Sequence, residues 1–208
     1  MKIPHLGDFI FMKLLLQPLP VRIFHWIMVL AVMYLVITGL YLHEPWSGLK
    51  YGVVRKTHTL AGIILMLNLF GQSCYYLFTG RYTEVLFMPR DFPNLRSFFR
   101  YALFITANHP NYGRYNPGQK ALFTVWGLLI LLAGLAALPF FFPGQESWLS
   151  RPFGGLTGIR IFYYLITMFF LATMPLHIML ALTEDPARLQ AMFSGYADKE
   201  PKPKTKGK

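Results

Sequence analysis

Four long segments without a charged residue constrain the fold of this chain more than any other feature. They run from Ile23 to His43, Thr57 to Gly80, Ala121 to Gln145 and Ile161 to Thr183. Each holds more than twenty residues, which at a rise of about 1.5 Å per residue is enough for a helix to cross a hydrocarbon core of about 30 Å. The sequence therefore predicts an all-α integral membrane protein with four transmembrane helices, at about residues 22–43, 57–80, 119–142 and 159–183.

The first segment resembles a secretory signal peptide only superficially. Its apolar run is too long, about twenty mixed residues precede it, and it ends at His43-Glu44-Pro45-Trp46 instead of a small-residue cleavage site. We expect this segment to remain in the mature protein.

Composition narrows the chemistry that the chain can perform. Hydrophobic residues make up 54% of the 208 residues and aromatic residues 17%, as expected of a membrane protein. The net charge of +11 does not indicate nucleic-acid binding, because the basic residues lie between the apolar segments and in a short tail. The single cysteine, Cys74, excludes intrachain disulfides, iron–sulfur clusters, cysteine-based zinc sites and covalent c-type haem attachment. Any redox centre must therefore use other ligands.

The distribution of lysine and arginine predicts the orientation in the membrane. Fifteen of the 20 basic residues lie before the first segment, between the second and third, or after the fourth, and five lie on the opposite side. Because basic residues accumulate on the cytoplasmic side, we expect both termini to face the cytoplasm.

Two cytoplasmic features accompany these helices. The connection from Arg81 to Lys120 contains a candidate interfacial helix. Its apolar face carries Leu95, Phe98, Phe99 and Ala102. Its basic face carries Arg96 and Arg100. The tail is rich in Lys and Pro without an apolar pattern, so we expect residues 1–196 to form the membrane domain and residues 197–208 a disordered basic tail.

The histidines of the predicted helices fall at two depths. His25 lies just inside the cytoplasmic end of the first helix, and His177 lies two turns before Glu184 and Asp185, which end the fourth helix on the same side. His43 and His58 lie at the opposite, outer side. The sequence therefore predicts an inner histidine pair and an outer histidine group.

Ionisable side chains inside a membrane are costly and tend to mark function. Two imidazoles from non-adjacent helices are what a six-coordinate haem iron requires on its two axial faces. Arg22 and Arg55 each precede a histidine by three residues, where a guanidinium would either pair with a haem propionate or simply anchor the helix at the interface. Gly39 and Gly62 would let a flat macrocycle approach the backbone, or would serve close helix packing. His43 taken on its own is better explained as an ordinary interfacial side chain.

Four motifs occur in order along the chain: Leu-Pro-Val-Arg-Ile-Phe-His-Trp from Leu19, Arg-Lys-Thr-His-Thr-Leu-Ala-Gly from Arg55, Arg-Tyr-Asn-Pro-Gly-Gln-Lys from Arg114 and Pro-Leu-His-Ile-Met-Leu from Pro175. Together they resemble the bacterial b-type cytochrome subunits of membrane-bound nickel–iron hydrogenases and the gamma subunit of respiratory formate dehydrogenase, which are di-haem cytochromes of the b561 type. The resemblance extends from about Pro18 to Tyr196.

The resemblance implies a membrane-embedded helix bundle that holds haem b. In that family the bundle carries electrons between extracytoplasmic iron–sulfur and catalytic subunits and quinone in the bacterial cytoplasmic membrane. His25 and His177 would ligate the haem nearer the cytoplasm, and His58 a second haem nearer the outer face.

The chain departs from the family pattern at the outer haem. Family members with two haems usually carry a further histidine about fourteen residues before the one matching His177, and Tyr163 stands there instead. A neutral phenol binds iron poorly. We expect His43 ahead of Tyr163 as the second ligand, while His58 alone, an empty site or a ligand from a partner are the other outcomes.

The stretch Asn116-Pro117-Gly118-Gln119 allows two interpretations that can coexist. From the residues alone it is a helix start, with Asn as the cap and Pro in the first turn. The resemblance implies that Asn116, Gly118 and Gln119 border a quinone pocket near the inner haem.

Three functions are compatible with these features. The favoured one is a haem b electron-transfer subunit. Because nothing in the chain supplies a nucleophile, a carboxylate pair or a metal cage, we expect substrate chemistry to belong to another subunit. A haem-free membrane anchor for a catalytic subunit is the alternative, and the paired depths of the histidines argue against it. A transporter is the third, with a polar route along His25, Asn68, Gln72 and His177, although no inverted repeat supports it.

Overall fold

The computed structural model describes residues 13–46, 48–103, 105–106, 112, 114–142, 146–183 and 186–198. Four helices within these ranges are long and apolar enough to cross a membrane, which confirms the predicted class. In chain order the elements are β1 (Lys13–Leu15), α1 (Leu19–His43), α2 (Tyr51–Phe78), α3 (Tyr82–Val85), α4 (Phe92–Ala102), α5 (Pro117–Ala137), α6 (Glu146–Ser150), α7 (Gly155–Thr183), α8 (Pro186–Ser194) and β2 (Tyr196–Asp198).

The transmembrane helices begin earlier than the charge-free segments predicted. The clearest case is α2, which begins at Tyr51 and carries Arg55 and Lys56 in its first turns. Long basic side chains can extend from a helix end to the membrane surface, so a charged residue does not end the helix. At the other end, α5 stops at Ala137 and a 3-10 turn follows over Leu138–Phe140, where Pro139 cannot continue the backbone hydrogen-bond pattern.

The chain divides into two units, which we call the terminal unit (residues 1–26 and 171–208) and the central unit (residues 27–170). In the described part of the terminal unit, β1 pairs antiparallel with β2, and Leu14 lies opposite Ala197. These strands were not predicted. Ala197, buried, and Asp198 belong to β2, so the expectation of a disordered tail from residue 197 is wrong at these two positions. Residues 199–208 lie outside the described part of the chain.

Gly195 joins α8 to this small sheet. It adopts a φ of +87°, a left-handed conformation that a residue with a side chain rarely takes. Its N–H donates to the Ala191 carbonyl at 2.8 Å, as in an αL helix cap. Its carbonyl accepts from the N–H groups of Leu16 and Gln17 at 3.0 and 3.1 Å, and Gln17 is buried. The end of α8 is thereby tied to the residues that lead into α1.

In the central unit, α4 packs against the first turns of α5. The predicted interfacial helix is present, but its apolar face is smaller than expected. Phe98 lies against Gly118 of α5, whereas Phe99 is 54% exposed because successive helical residues point about 100° apart. Phe99 therefore shares the outward side of α4 with Arg96 and Arg100, which are also exposed.

A buried ion pair holds α5 to the segment before α4. Lys120 Nζ lies 3.0 Å from Asp91 Oδ1, and each side chain is only 10% exposed. Lys120 also donates to the Thr83 carbonyl at 3.3 Å, and the Met88 N–H donates to the other Asp91 oxygen at 2.8 Å. Burial by itself raises the pKa of Asp91, but the Met88 N–H and the Lys120 ammonium outweigh it and hold that pKa below its ordinary value. Asp91 therefore stays ionised at neutral pH.

We predict that Lys120→Met destabilises the protein strongly, because it leaves the Asp91 carboxylate buried without a counter-charge. Removing one partner of such a pair costs about 3–5 kcal/mol. The matched control is Glu84→Gln, which removes a more exposed pairing of Glu84 with Arg81 and Arg114 at 3.1 and 3.2 Å and should cost at most about 1 kcal/mol. Thermal unfolding of the detergent-solubilised protein at neutral pH measures both variants.

The direction of the pKa shift of Asp91 determines how its contribution to the free energy of unfolding changes with pH. Since the pKa of Asp91 is lower in the folded than in the unfolded protein, its contribution is complete above the unfolded pKa of about 4. It is lost as the pH falls through the lower, folded value.

Equal destabilisation by Lys120→Met and Glu84→Gln would contradict the assignment of Asp91–Lys120 as the dominant pair.

Candidate functional site

The structure places the two predicted inner ligands in the terminal unit. His25 lies near the start of α1 and His177 near the end of α7, and both side chains are half-buried. The two imidazoles are close enough to interact electrostatically. Pro175 lies inside α7, two residues before His177, and removes one backbone hydrogen bond of that helix. Glu184 and Asp185, which marked the helix end in the sequence, lie outside the described residues.

The surroundings of His25 fit a bound group. Its Nδ1 atom is buried and has no hydrogen-bond partner among the described residues. A buried polar atom without a partner costs about 1–3 kcal/mol. The neighbouring Trp26 ring lies 5.2 Å away between centroids, in a T-shaped arrangement. A pair of half-buried imidazoles on two membrane helices is a suitable donor set for the axial positions of a haem iron.

Arg22 makes contacts that the sequence did not indicate. Its guanidinium donates to the carbonyls of Met192, at 3.4 Å, and Phe193, in the last turn of α8. Trp26, one turn further along α1, donates its indole N–H to the same Met192 carbonyl at 3.1 Å. A cation at the carbonyl end of a helix is favourable, so Arg22 has a structural role in holding α8.

The outer group lies in the central unit, and His58 is its best-defined member. The Nδ1 atom of this half-buried imidazole lies 2.7 Å from Thr38 Oγ1 of α1. A Cβ atom added to Gly39 would lie 3.6 Å from His58 Cε1 and 3.6 Å from Thr167 Oγ1, so the glycine faces this ring. Beside Gly62, one turn after His58, there is open space. Arg55 is exposed one turn before His58.

The two candidates for the second outer ligand differ in their surroundings. The Tyr163 hydroxyl donates to the Ala133 carbonyl of α5 at 2.7 Å, and this hydrogen bond would be lost if Tyr163 bound iron as a phenolate. His43 is exposed at the last residue of α1, and its ring lies 4.8 Å from the ring of Tyr164. The tyrosine that meets His43 is thus the one adjacent to the predicted position, which sequence spacing alone could not show.

The stretch from Asn116 to Gln119 starts α5 as a reciprocal cap. Asn116 Oδ1 accepts from the Gln119 N–H at 2.8 Å, and Gln119 Oε1 accepts from the Asn116 N–H at 3.1 Å. This confirms the helix-start interpretation. Both side-chain oxygens are used in the cap, which leaves the two amide NH₂ groups as the donors of this stretch. Gly118 has a packing role, because an added Cβ would overlap the Phe98 ring.

The chain is similar to known proteins over most of its length. Residues 16–195 match the family model described as prokaryotic cytochrome b561. The chain is 23% identical over 199 residues to the probable Ni/Fe-hydrogenase B-type cytochrome subunit of Azotobacter vinelandii, with 84% of this chain and 82% of that protein covered. It is 24% identical over 204 residues to the protein of the same description from Cupriavidus necator, with 85% and 84% covered. The corresponding Rhodobacter capsulatus protein is 24% identical over 200 residues, with 84% and 76% covered.

Proposed function

Because the chain belongs to the prokaryotic cytochrome b561 family, we propose that it is the haem b electron-transfer subunit of a membrane-bound Ni/Fe-hydrogenase-type complex. It links an extracytoplasmic oxidoreductase to the quinone pool of the bacterial cytoplasmic membrane. The family match and the similarity to hydrogenase B-type cytochrome subunits support the haem and the partner class. The observation that carries the proposal is the pair of half-buried imidazoles, His25 and His177, on two membrane helices.

In this proposal His25 and His177 would hold one haem b. When bound, haem b would supply one-electron redox chemistry. The residues of this chain would provide the position and the environment of the haem. The helices would hold the imidazoles at a fixed depth and exclude water. The side chains of Arg22 and Trp26, on the same helix as His25, hold α8 beside it.

A second haem b is proposed at the outer side, bound by His58. We favour His43 over Tyr163 as the second ligand, because the Tyr163 hydroxyl already donates a hydrogen bond to the Ala133 carbonyl. His43 lies at the last residue of α1, where its side chain has more freedom to reorient. The exposed guanidinium of Arg55 is available for a propionate.

Quinone is proposed to bind at the start of α5. The amide NH₂ groups of Asn116 and Gln119 would donate hydrogen bonds to quinone oxygens, while the oxygens of the same amides keep the helix capped. The excess of basic residues on this side supports its cytoplasmic placement and that of both termini. In this topology the iron–sulfur and catalytic subunits dock on the opposite, outer surface.

We predict that purified protein shows the absorption bands of reduced b-type haem and that His177→Ala removes the low-spin bis-histidine signal of one haem. The alanine cannot ligate iron, so this haem loses an axial ligand. Electron paramagnetic resonance and reduced-minus-oxidised spectra measure the change. His43→Ala, at the other end of α1 from His25, is the control and should leave the inner signal intact. Haem-free wild-type protein would favour the membrane-anchor function instead.

We predict a haem content near two per polypeptide in fully loaded protein and near one in His58→Ala. Tyr163→Phe should keep the wild-type content, because it removes only the hydroxyl that donates to Ala133. His43→Ala should lower the content if His43 is the second ligand. A ratio near one in wild-type protein that His58→Ala leaves unchanged would rule out the outer haem.

For quinone, the informative change is Asn116→Ser, which keeps a capping oxygen but removes the amide NH₂ donor. We expect slower haem reduction by a soluble quinol, with haem content and thermal stability close to wild type. Asn116→Ala is the comparison, since it removes both the donor and the cap and should lower stability by about 1 kcal/mol as well. Unchanged quinol kinetics in both variants would place the quinone pocket elsewhere.

A further inference from the structure

The hydroxyl of Thr38 lies between two polar atoms in the central unit. Its Oγ1 is 2.7 Å from the Tyr34 carbonyl of the preceding turn of α1 and 2.7 Å from Nδ1 of His58 on α2. The Leu35 carbonyl is 3.4 Å away, beyond the usual range for a hydroxyl donor. Thr38 is one of the few buried polar residues among those described, with 7% exposure.

These contacts determine the direction of each hydrogen bond. A hydroxyl has one proton to donate and lone pairs that accept. The Tyr34 carbonyl can only accept, so the Thr38 proton points to it, as in the back-bonding of threonine within helices. Towards His58 the hydroxyl must then accept, which means that Nδ1 carries the proton. A neutral imidazole has a single N–H, so the lone pair of His58 is on Nε2.

We infer that Thr38 is a positioning residue for the outer haem, because it holds His58 in the tautomer and ring orientation that present Nε2 to the iron. The inference rests on the proposed function of His58 as a haem ligand. A ligating imidazole that donates its other N–H to an acceptor is a better electron donor to its metal. Gly39, the residue after Thr38, faces the same ring, so this turn of α1 supplies both the hydrogen bond and the space for the imidazole.

The matched control is a second hydroxyl between the same two helices. Thr57, adjacent to His58 in sequence, accepts from the Tyr34 hydroxyl at 2.6 Å. Thr57→Val therefore removes an α1–α2 hydrogen bond without removing the contact to the His58 ring. Thr38→Val removes the contact at nearly constant volume, and Thr38→Ser restores the hydroxyl.

The test uses full-length, haem-loaded protein and measures haem per polypeptide, electron paramagnetic resonance spectra and potentiometric titration. In Thr38→Val we expect outer-haem affinity to fall by roughly 10-fold, the low end of losses on removing such partners. The midpoint potential of this haem should move upward, because the imidazole donates less charge. Thr38→Ser and Thr57→Val should behave as wild type, and unchanged inner-haem signals report that each variant has folded. If Thr38→Val does not assemble, Thr38→Ala removes the same hydroxyl without the second methyl group.

The possible outcomes separate this inference from the proposed function. If wild-type protein holds about one haem and His58→Ala leaves this content unchanged, the outer haem is absent, and the proposals of a second haem and of a role for Thr38 both fail. If His58→Ala removes a haem but Thr38→Val and Thr38→Ala keep the wild-type potential, spectrum and affinity, the role of Thr38 is overturned while His58 remains a ligand. An equal shift in Thr57→Val would also overturn it, because the effect would then come from helix packing.

Discussion

A hydrocarbon environment provides no water to satisfy polar groups, and this constraint governs both the backbone and the side chains of the protein. The backbone forms four long helices, in which its polar groups hydrogen-bond to one another. Polar side chains within those helices donate hydrogen bonds to backbone carbonyls of their own helix or of a neighbouring helix. Thr38 donates to Tyr34 one turn earlier, and Tyr163 donates to Ala133 across to α5. The buried Nδ1 atom of His25 departs from this pattern, because it has no hydrogen-bond partner among the described residues.

The ends of the helices carry most of the polar structure. At the start of α5, the Asn116–Gln119 cap and the Asp91–Lys120 ion pair lie within two turns of each other. At the end of α8, carbonyls that have no partner within their own helix accept hydrogen bonds from Arg22 and Trp26. These contacts satisfy backbone groups that have no partner within their own helix. The quinone site proposed at the start of α5 would use donors that the helix cap already holds in place.

The candidate haem ligands differ in what surrounds them. His58 has an acceptor for its second nitrogen in Thr38, whereas no described residue plays that part for His25. In a haem protein the hydrogen bonding of the axial ligands is one of the means by which potential is tuned. His25 and His58 therefore have chemically distinct surroundings, although each follows an arginine by three residues in the sequence.

The order of residues along the chain is enough to establish the membrane class and the number of candidate spanning helices among the described residues. Because a helix advances by a constant rise per residue, the sequence also predicts near which helix end His25 and His177 lie. The Asn116 cap is also readable, since it is local. The partners of the polar side chains follow only from tertiary packing: Thr38 for His58, Ala133 for Tyr163, Asp91 for Lys120 and Met192 for Arg22. Those pairings depend on the rotation of each helix about its axis and on which segment packs beside it. The short strands β1 and β2 form only when residues far apart in sequence pair, so no local sequence pattern predicts them.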